Sequence, residues 1–324
     1  MKGEKVLYMN KQESDILNAL MLEPFINQPI LTDIVSVICQ ALNTVPDKIK
    51  NITVLKKGMT NRSFTFSCNG KKYIMRIPGE GTGRLVSRKH EADVYRLLMG
   101  KNICDSVVYI NPANGYKITE FIEGARVCDA LNWDDVRECM DKLREFHGLG
   151  LVAGHGFDIF GQIRFYESLR GGTPSVYKDY QEVKDNVFSL APYISAHAGK
   201  KVLTHIDAVP DNFLFTSNGV RLVDWEYAGM QDPHVDIAMF AIYSMYDRRQ
   251  ADQLIDIYFK EGCPGSTRVK IYCYIAACGL LWSNWCEYKK VLGVEFGEYS
   301  LRQYNYAKDY YKIVQEELKK AGVY

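Results

Sequence analysis

Three polar side chains, Asp207, Asn212 and Asp224, carry the clearest chemistry in this chain. The first two lie in His205-Ile206-Asp207-Ala208-Val209-Pro210-Asp211-Asn212. The third follows a Ser217-Asn218-Gly219 turn, in Arg221-Leu222-Val223-Asp224-Trp225-Glu226. Phosphoryl transfer needs one carboxylate to accept the proton of an attacking hydroxyl. It also needs an amide oxygen and a second carboxylate to hold magnesium across the phosphates. The His-x-Asp-x-x-x-x-Asn spacing sets base and metal ligand at opposite ends of one tight loop. The turn then folds the chain back and brings Asp224 beside them. Two hairpin strands with ordinary turn carboxylates would explain any one of these residues. The complete set in this order favours the chemistry.

These segments resemble the catalytic loop and metal-binding segment of the choline/ethanolamine kinases and aminoglycoside phosphotransferases, which share a protein-kinase-like fold. The resemblance implies that Asp207 is the base, that Asn212 and Asp224 bind Mg2+, and that His205 is structural. It extends from about residue 52 to the C-terminus. It also implies an α+β fold with a small antiparallel-sheet N-terminal lobe, a mainly helical C-terminal lobe and ATP-magnesium bound between them.

The elements that must position these residues divide the chain into a helical extension (1–50), a nucleotide-binding lobe (51–123) and a catalytic and acceptor-binding lobe (124–324). Helical patterns cover residues 14–21 and 31–42, with Asn27-Gln28-Pro29 between them. They lack a basic recognition helix, so a packing extension is favoured over a DNA-binding element. Strand patterns follow at 52–55, 63–67 and 72–77, the last two joined by Asn69-Gly70, a type I′ hairpin signal. A helix over 87–99 starts at a capping serine, and strands at 107–110 and 116–122 close the lobe. The remainder reads as helices over 133–147, 177–195, 235–246, 251–260, 269–288 and 301–318, with the catalytic hairpin among them.

The segment Lys57-Gly58-Met59-Thr60-Asn61-Arg62-Ser63 separates the first two strands. A glycine there lets the backbone turn toward a phosphate, with Thr60, Asn61 and nearby amides as donors; a simple hairpin turn is the alternative. The segment is similar to the Gly-x-x-Asn loop of choline kinases. Arg76, at the end of the next strand, stands where protein kinases carry a lysine that meets the nucleotide phosphates and a helix glutamate. Glu91 is its fitting partner, because an arginine fork can engage carboxylate and phosphate together. A surface ion pair is the alternative. The resemblance makes Thr119-Glu120-Phe121-Ile122-Glu123-Gly124 the hinge, with backbone groups of Glu120 and Ile122 offered to adenine.

On the acceptor side, Trp282 and Trp285 share one helix face. Such pairs are usually core. Half of the four tryptophans sit here, however, and the segment resembles the Trp-x-x-Trp of choline kinases, whose rings enclose a quaternary ammonium. A trimethylammonium group has no hydrogen-bond donor, so ring faces are its available recognition, worth about 2 kcal/mol when desolvated. The resemblance adds Phe296, in Glu295-Phe296-Gly297, and Tyr246 to the acceptor site, with Glu226 as counter-charge. Where the family has its last cage tyrosine this chain has Leu301, with Tyr299 and Tyr304 nearby. Asp232 and Asp236 read as a helix cap and a brace for the loop.

With 324 residues and a formal charge of +1, the chain has no charge signature of a nucleic-acid or membrane-surface binder. No apolar run reaches membrane-spanning length, and Met1-Lys2-Gly3-Glu4-Lys5 starts no secretory signal, so a cytoplasmic address is expected. The nine cysteines show no paired metal-ligand spacing, and Cys273, Cys278 and Cys286 read as buried thiols of one helix. The expected activity is ATP-dependent phosphorylation of choline to phosphocholine. Ethanolamine, thiamine or an aminoglycoside is the alternative acceptor, and a nucleotide- or choline-binding regulator without turnover is the alternative class.

Overall fold

The structure, a computed structural model, describes residues 11–12, 15–16, 28–55, 61–79 and 82–322. The chain forms two compact units, Met1–Gly124 and Ala125–Tyr324.

The first unit is built on a five-stranded antiparallel sheet with strand order β1-β2-β3-β5-β4. The strands are β1 (Lys50–Val54), β2 (Asn61–Cys68), β3 (Lys71–Pro78), β4 (Val107–Ile110) and β5 (Lys117–Glu120). The β2–β3 turn has positive φ at both Asn69 and Gly70, 50° and 79°, as a type I′ turn demands. Phe64 and Phe66 of β2, and Tyr73, Met75 and Ile77 of β3, follow the two-residue period of a strand and are buried. Helix α1 (Gln28–Ala41) adds Leu31, Ile34, Val35 and Ile38 to the same core. Their helical spacing makes one apolar stripe, so this part of the expected extension is built into the sheet's core. Of the helix expected over residues 14–21 only 15–16 are described, and they are helical; the rest lies outside the described residues. Helix α2 (Arg88–Leu98) is capped by Ser87, whose hydroxyl accepts the His90 N–H at 3.3 Å. Glu91, Val94, Tyr95 and Leu98 form its buried face, which turns the Glu91 carboxylate inward.

The second unit contains two small sheets, β6-β8-β9 and β7-β10, and eight α-helices among its described residues. The strands are β6 (Arg126–Val127), β7 (Val202–Thr204), β8 (Phe213–Thr216), β9 (Gly219–Leu222) and β10 (Gly229–Gln231). The helices are α3 (Trp133–Gly148), α4 (Ile159–Leu169), α5 (Tyr180–Phe188), α6 (Ala191–Ala196), α7 (His234–Tyr243), α8 (Arg248–Tyr258), α9 (Gly265–Val291) and α10 (Glu298–Lys320). The 27-residue α9 is buried continuously from Lys270 to Lys289. It is covered on all sides, which suits a central helix. It packs closely on α10: a Cβ on Gly279 would lie 2.6 Å from the Gln303 carbonyl and 2.8 Å from the Tyr306 Cβ. Only glycine permits that approach.

Two helix readings differ from the sequence expectation. The helix over 177–195 is divided into α5 and α6, with Pro192 in the first turn of α6. Proline has no N–H to continue the ladder and is tolerated only at a helix start. Helix α4 was not expected, although Ile159, Ile163 and Tyr166 bury one face at helical spacing. No helix among the described residues is long and apolar enough to cross a membrane.

Candidate active site

In the second unit, β7 delivers His205, Ile206 and Asp207 to a bend that the chain enforces with a buried carboxylate. Asp236, on α7, accepts the His205 N–H at 2.9 Å and the Ile206 N–H at 2.8 Å. Ile206 sits at φ 69°, a left-handed conformation costly for a β-branched residue. The two charge-assisted bonds offset that strain. His147 donates from Nε2 to the same Asp236 at 2.9 Å, and its Nδ1 lies 2.9 Å from the Tyr258 hydroxyl. His205 donates from Nε2 to the Val223 carbonyl at 2.9 Å. Burial pushes its imidazole down to about 4, so it is a neutral strut between two segments of the site. Asp232 accepts the His234 N–H at 3.0 Å at the start of α7, and its other oxygen meets buried Lys270 at 2.6 Å.

Asn212 lies at the end of a 3-10 turn, Pro210–Asn212. Its Nδ2 donates to the Asp207 carbonyl at 2.8 Å and to the Asp207 carboxylate at 3.3 Å. The amide nitrogen is therefore committed to the loop, which leaves Oδ1 as the group for a cation. The Val223 N–H donates to the Asn212 carbonyl at 2.9 Å, joining Asp224 to the same loop. Asp224 has φ 65° and ψ 63°, a conformation that Asp tolerates better than most side chains.

Burial, and after it the charges of Asp224 and Glu226, push the Asp207 carboxyl up to about 8. Such a cluster of repelling carboxylates is relieved by a cation. Among the described residues no trio of His, Cys, Asp or Glu could enclose a metal ion. Magnesium suits that sparse donor set, since it is commonly held by one or two protein oxygens together with phosphates and water. The Asn212 Oδ1 and the Asp224 carboxylate are oxygen donors of the kind magnesium takes.

A run of rings lies in the same unit. Trp282 and Trp285 stand 5.6 Å apart at 74°, and Tyr227 meets Trp282 edge-on at 5.6 Å. Phe296 packs on Trp285 at 5.0 Å. Trp282 is 7% exposed and Trp285 1%, so Trp282 is the more open of the two. The Trp282 indole N–H donates to the Met239 sulfur at 3.1 Å, and the Lys289 ammonium lies 5.6 Å from the Trp285 ring centre. Tyr246 is not brought to this run. Its ring lies against Trp133 and Phe240, and its hydroxyl donates to the Ala130 carbonyl. Helix α7 ends at Tyr243, and Met245 at φ 56° turns the chain away. Leu301 is 48% exposed. Tyr304 stacks on Tyr177 at 3.8 Å and donates to Asp179, away from the tryptophans' ring contacts.

In the first unit, Arg76 and Glu91 form a two-pronged pair with both contacts at 2.6 Å. Sequence reasoning missed two further cations on the same carboxylate, Lys117 at 3.2 Å and Arg88 at 3.4 Å. Arg88 also reaches the Asn61 side-chain oxygen at 3.2 Å. Burial pushes Glu91 up, but Lys117 first, then Arg76 and Arg88, more than offset this and hold it down to about 2. Gly58 and Thr60 lie outside the described residues. The Glu120 N–H is committed to the Ser106 carbonyl at 2.9 Å, and its side chain pairs with Lys71 at 3.0 Å. Ile122 follows β5 in an irregular segment.

Glu91→Gln should destabilise the fold by about 3–5 kcal/mol, because it leaves buried cations without their counter-charge. A carboxylate depressed in the folded state adds stability above its unfolded pKa, and that stability is lost as pH falls through the folded value. The Glu91 contribution should therefore disappear between 4.5 and about 2. Acid unfolding of wild type and Glu91→Gln, followed by circular dichroism, checks both statements.

The two architectures, an antiparallel sheet with one inward-facing helix and a helical unit carrying the Asp207 loop, define a kinase-like phosphotransferase. Solved aminoglycoside phosphotransferases share this fold; one, at 14% identity and TM-score 0.62, covers 86% of this chain and 98% of its own. A family model described as choline/ethanolamine kinase matches residues 52–277, and the chain belongs to that family. Protein LicA of Haemophilus influenzae is 25% identical over 277 residues, covering 80% of this chain and 78% of LicA. The crystal structure of choline kinase LicA from Streptococcus pneumoniae aligns with TM-score 0.75 at 26% identity, covering 87% of this chain and 99% of that one. A LicA structure in complex with AMP aligns with TM-score 0.72 at the same identity, over 87% of this chain and 98% of that one.

Proposed function

We propose that this protein is a choline kinase, transferring the γ-phosphoryl group of ATP to the hydroxyl of choline to give phosphocholine. The observation that carries the reading is the run of rings around Trp282 in the same unit as the Asp207 loop. An aminoglycoside would call for acidic acceptor walls, whereas a trimethylammonium group calls for ring faces. Similarity to LicA proteins, one of them a choline kinase, supports the same acceptor.

In this reading Asp207 accepts the hydroxyl proton as the choline oxygen attacks. Asn212 and Asp224 hold magnesium, which when bound neutralises charge on the transferring phosphoryl group. Arg76, held by Glu91, meets the nucleotide phosphates, with Gly58, Thr60 and Asn61 as further phosphate contacts. Glu120 and Ile122 are the adenine-side residues. Glu226 supplies counter-charge, and the rings of Trp282, Trp285 and Phe296 hold the ammonium. The protein's own work is positioning and electrostatics, since little covalent chemistry falls to it.

ATP consumption measured with choline, ethanolamine, thiamine and kanamycin tests the reading, and choline should give the highest kcat/KM. Turnover with kanamycin and none with choline would reject it. For the cage itself, Trp282→Ala should raise the choline KM by about 10- to 100-fold and leave the ATP KM within about twofold. A purely structural tryptophan would instead lower Tm and impair both substrates together.

A further inference from the structure

Leu301, just past the start of α10, is 48% exposed and is turned to solvent. The ring run continues elsewhere. Gly297 adopts φ 48° and ψ −121° at the start of α10, a backbone state essentially reserved for glycine. The sharp bend keeps its flanking aromatics together. Tyr299 donates its N–H to the Phe296 carbonyl at 3.1 Å, and the two rings lie 6.3 Å apart. The next ring, 6.1 Å from Tyr299 at 68°, is Tyr243, the last residue of α7.

Tyr243 links this run to the catalytic loop. Its hydroxyl donates to the Asp211 carboxylate at 3.0 Å, and Asp211 lies between Asp207 and Asn212. The field of the Asp207 carboxylate reaches both phenols, adding to the burial that raises them. The rings of Trp282, Trp285, Phe296, Tyr299 and Tyr243 thus form one connected path from α9 to the loop that carries the proposed base.

We infer that Tyr299 and Tyr243 complete the ammonium site in place of Leu301, and that Tyr243 is also a positioning residue that ties the site to the catalytic loop through Asp211. The inference rests on the choline kinase reading and names the walls that reading leaves open. A ring face at each position stabilises a methylated ammonium more than a primary one, because the methyl groups spread the charge over a surface that fits the rings. The Tyr243 hydroxyl does separate work, since its bond to Asp211 fixes the loop rather than the ammonium.

The test compares Tyr299→Leu, Tyr243→Leu, Tyr299→Phe, Tyr243→Phe and Leu301→Ala with wild type in full kinetics for choline, ethanolamine and ATP, alongside Tm. Each Leu variant should raise the choline KM by about tenfold, change the ethanolamine KM by less than about threefold and leave the ATP KM unaltered. Tyr299→Phe should restore the choline KM, because the ring face returns. Tyr243→Phe should also keep it, yet lower kcat several-fold because the Asp211 bond is lost. Leu301→Ala should resemble wild type. An unchanged choline KM in the Leu variants, or a tenfold rise in Leu301→Ala, would overturn the assignment of these walls. Equal losses for choline, ethanolamine and ATP with a fallen Tm would overturn it in favour of simple packing. Wild type that turns over no choline would overturn the choline kinase reading itself and the walls with it.

Discussion

Asp207→Asn should lower kcat by about 10²- to 10⁴-fold, the range for loss of a positioned general base, while ATP binding survives. The replacement is isosteric and can keep the hydrogen bond from Asn212 Nδ2, so the loop should hold its shape. A second readout distinguishes a charged base from a structural side chain. Burial, then Asp224 and Glu226, raise the Asp207 carboxyl from 3.8 to about 8. A folded-state pKa above the unfolded one gives stability that is complete below 3.8 and falls as pH rises, until it is lost above about 8. Metal-free Asp207→Asn should escape that loss and melt higher than wild type at pH 8–9, although its turnover is impaired. Thermal melts across pH in chelator, beside steady-state kinetics, check the pair. A variant that keeps more than a small fraction of wild-type kcat would remove Asp207 as the base.

Asp224→Asn should abolish magnesium-supported turnover at ordinary metal concentrations, with the apparent magnesium requirement raised by at least about tenfold. Asparagine tolerates the left-handed backbone found at Asp224, so the change isolates the carboxylate charge. Metal titration of the ATP-dependent rate, at saturating choline, reads it directly. Because Asp224 is a leading charge behind the elevated Asp207 carboxyl, the same variant should shift Asp207 titration in the metal-free protein downward. Carboxyl-resolved NMR would show that shift without any turnover. Unchanged magnesium dependence would rule Asp224 out as a metal ligand.

Much of this arrangement was legible along the chain because the interactions are short in sequence. Asn212 reaches Asp207 within one loop, the Asn69-Gly70 turn sets the β2–β3 register, and Glu91 falls on the first helix after the Arg76 strand. The rest depended on partners far apart. Lys117 joins Glu91 across a 26-residue separation, and Arg88 reads in isolation as an ordinary first-turn helix residue. The resemblance implied Tyr246 at the acceptor site, whereas the ring at the end of α7 that meets Tyr299 is Tyr243.

By itself the sequence determined the strand-and-helix order of the first unit's sheet from β1 to β5, the proposed base and metal ligands, and the Arg76–Glu91 pairing. Turn chemistry, strand alternation and a loop of a few residues leave little conformational freedom over such distances. Tertiary structure decided which rings meet and which carboxylates repel. Tyr227, Tyr243, the two tryptophans, and Phe296 with Tyr299 come from separate segments. Their contacts depend on how α7, α9 and α10 pack, including the close approach that only Gly279 allows. Side-chain geometry of that kind is set by three-dimensional close packing, which no local periodicity encodes.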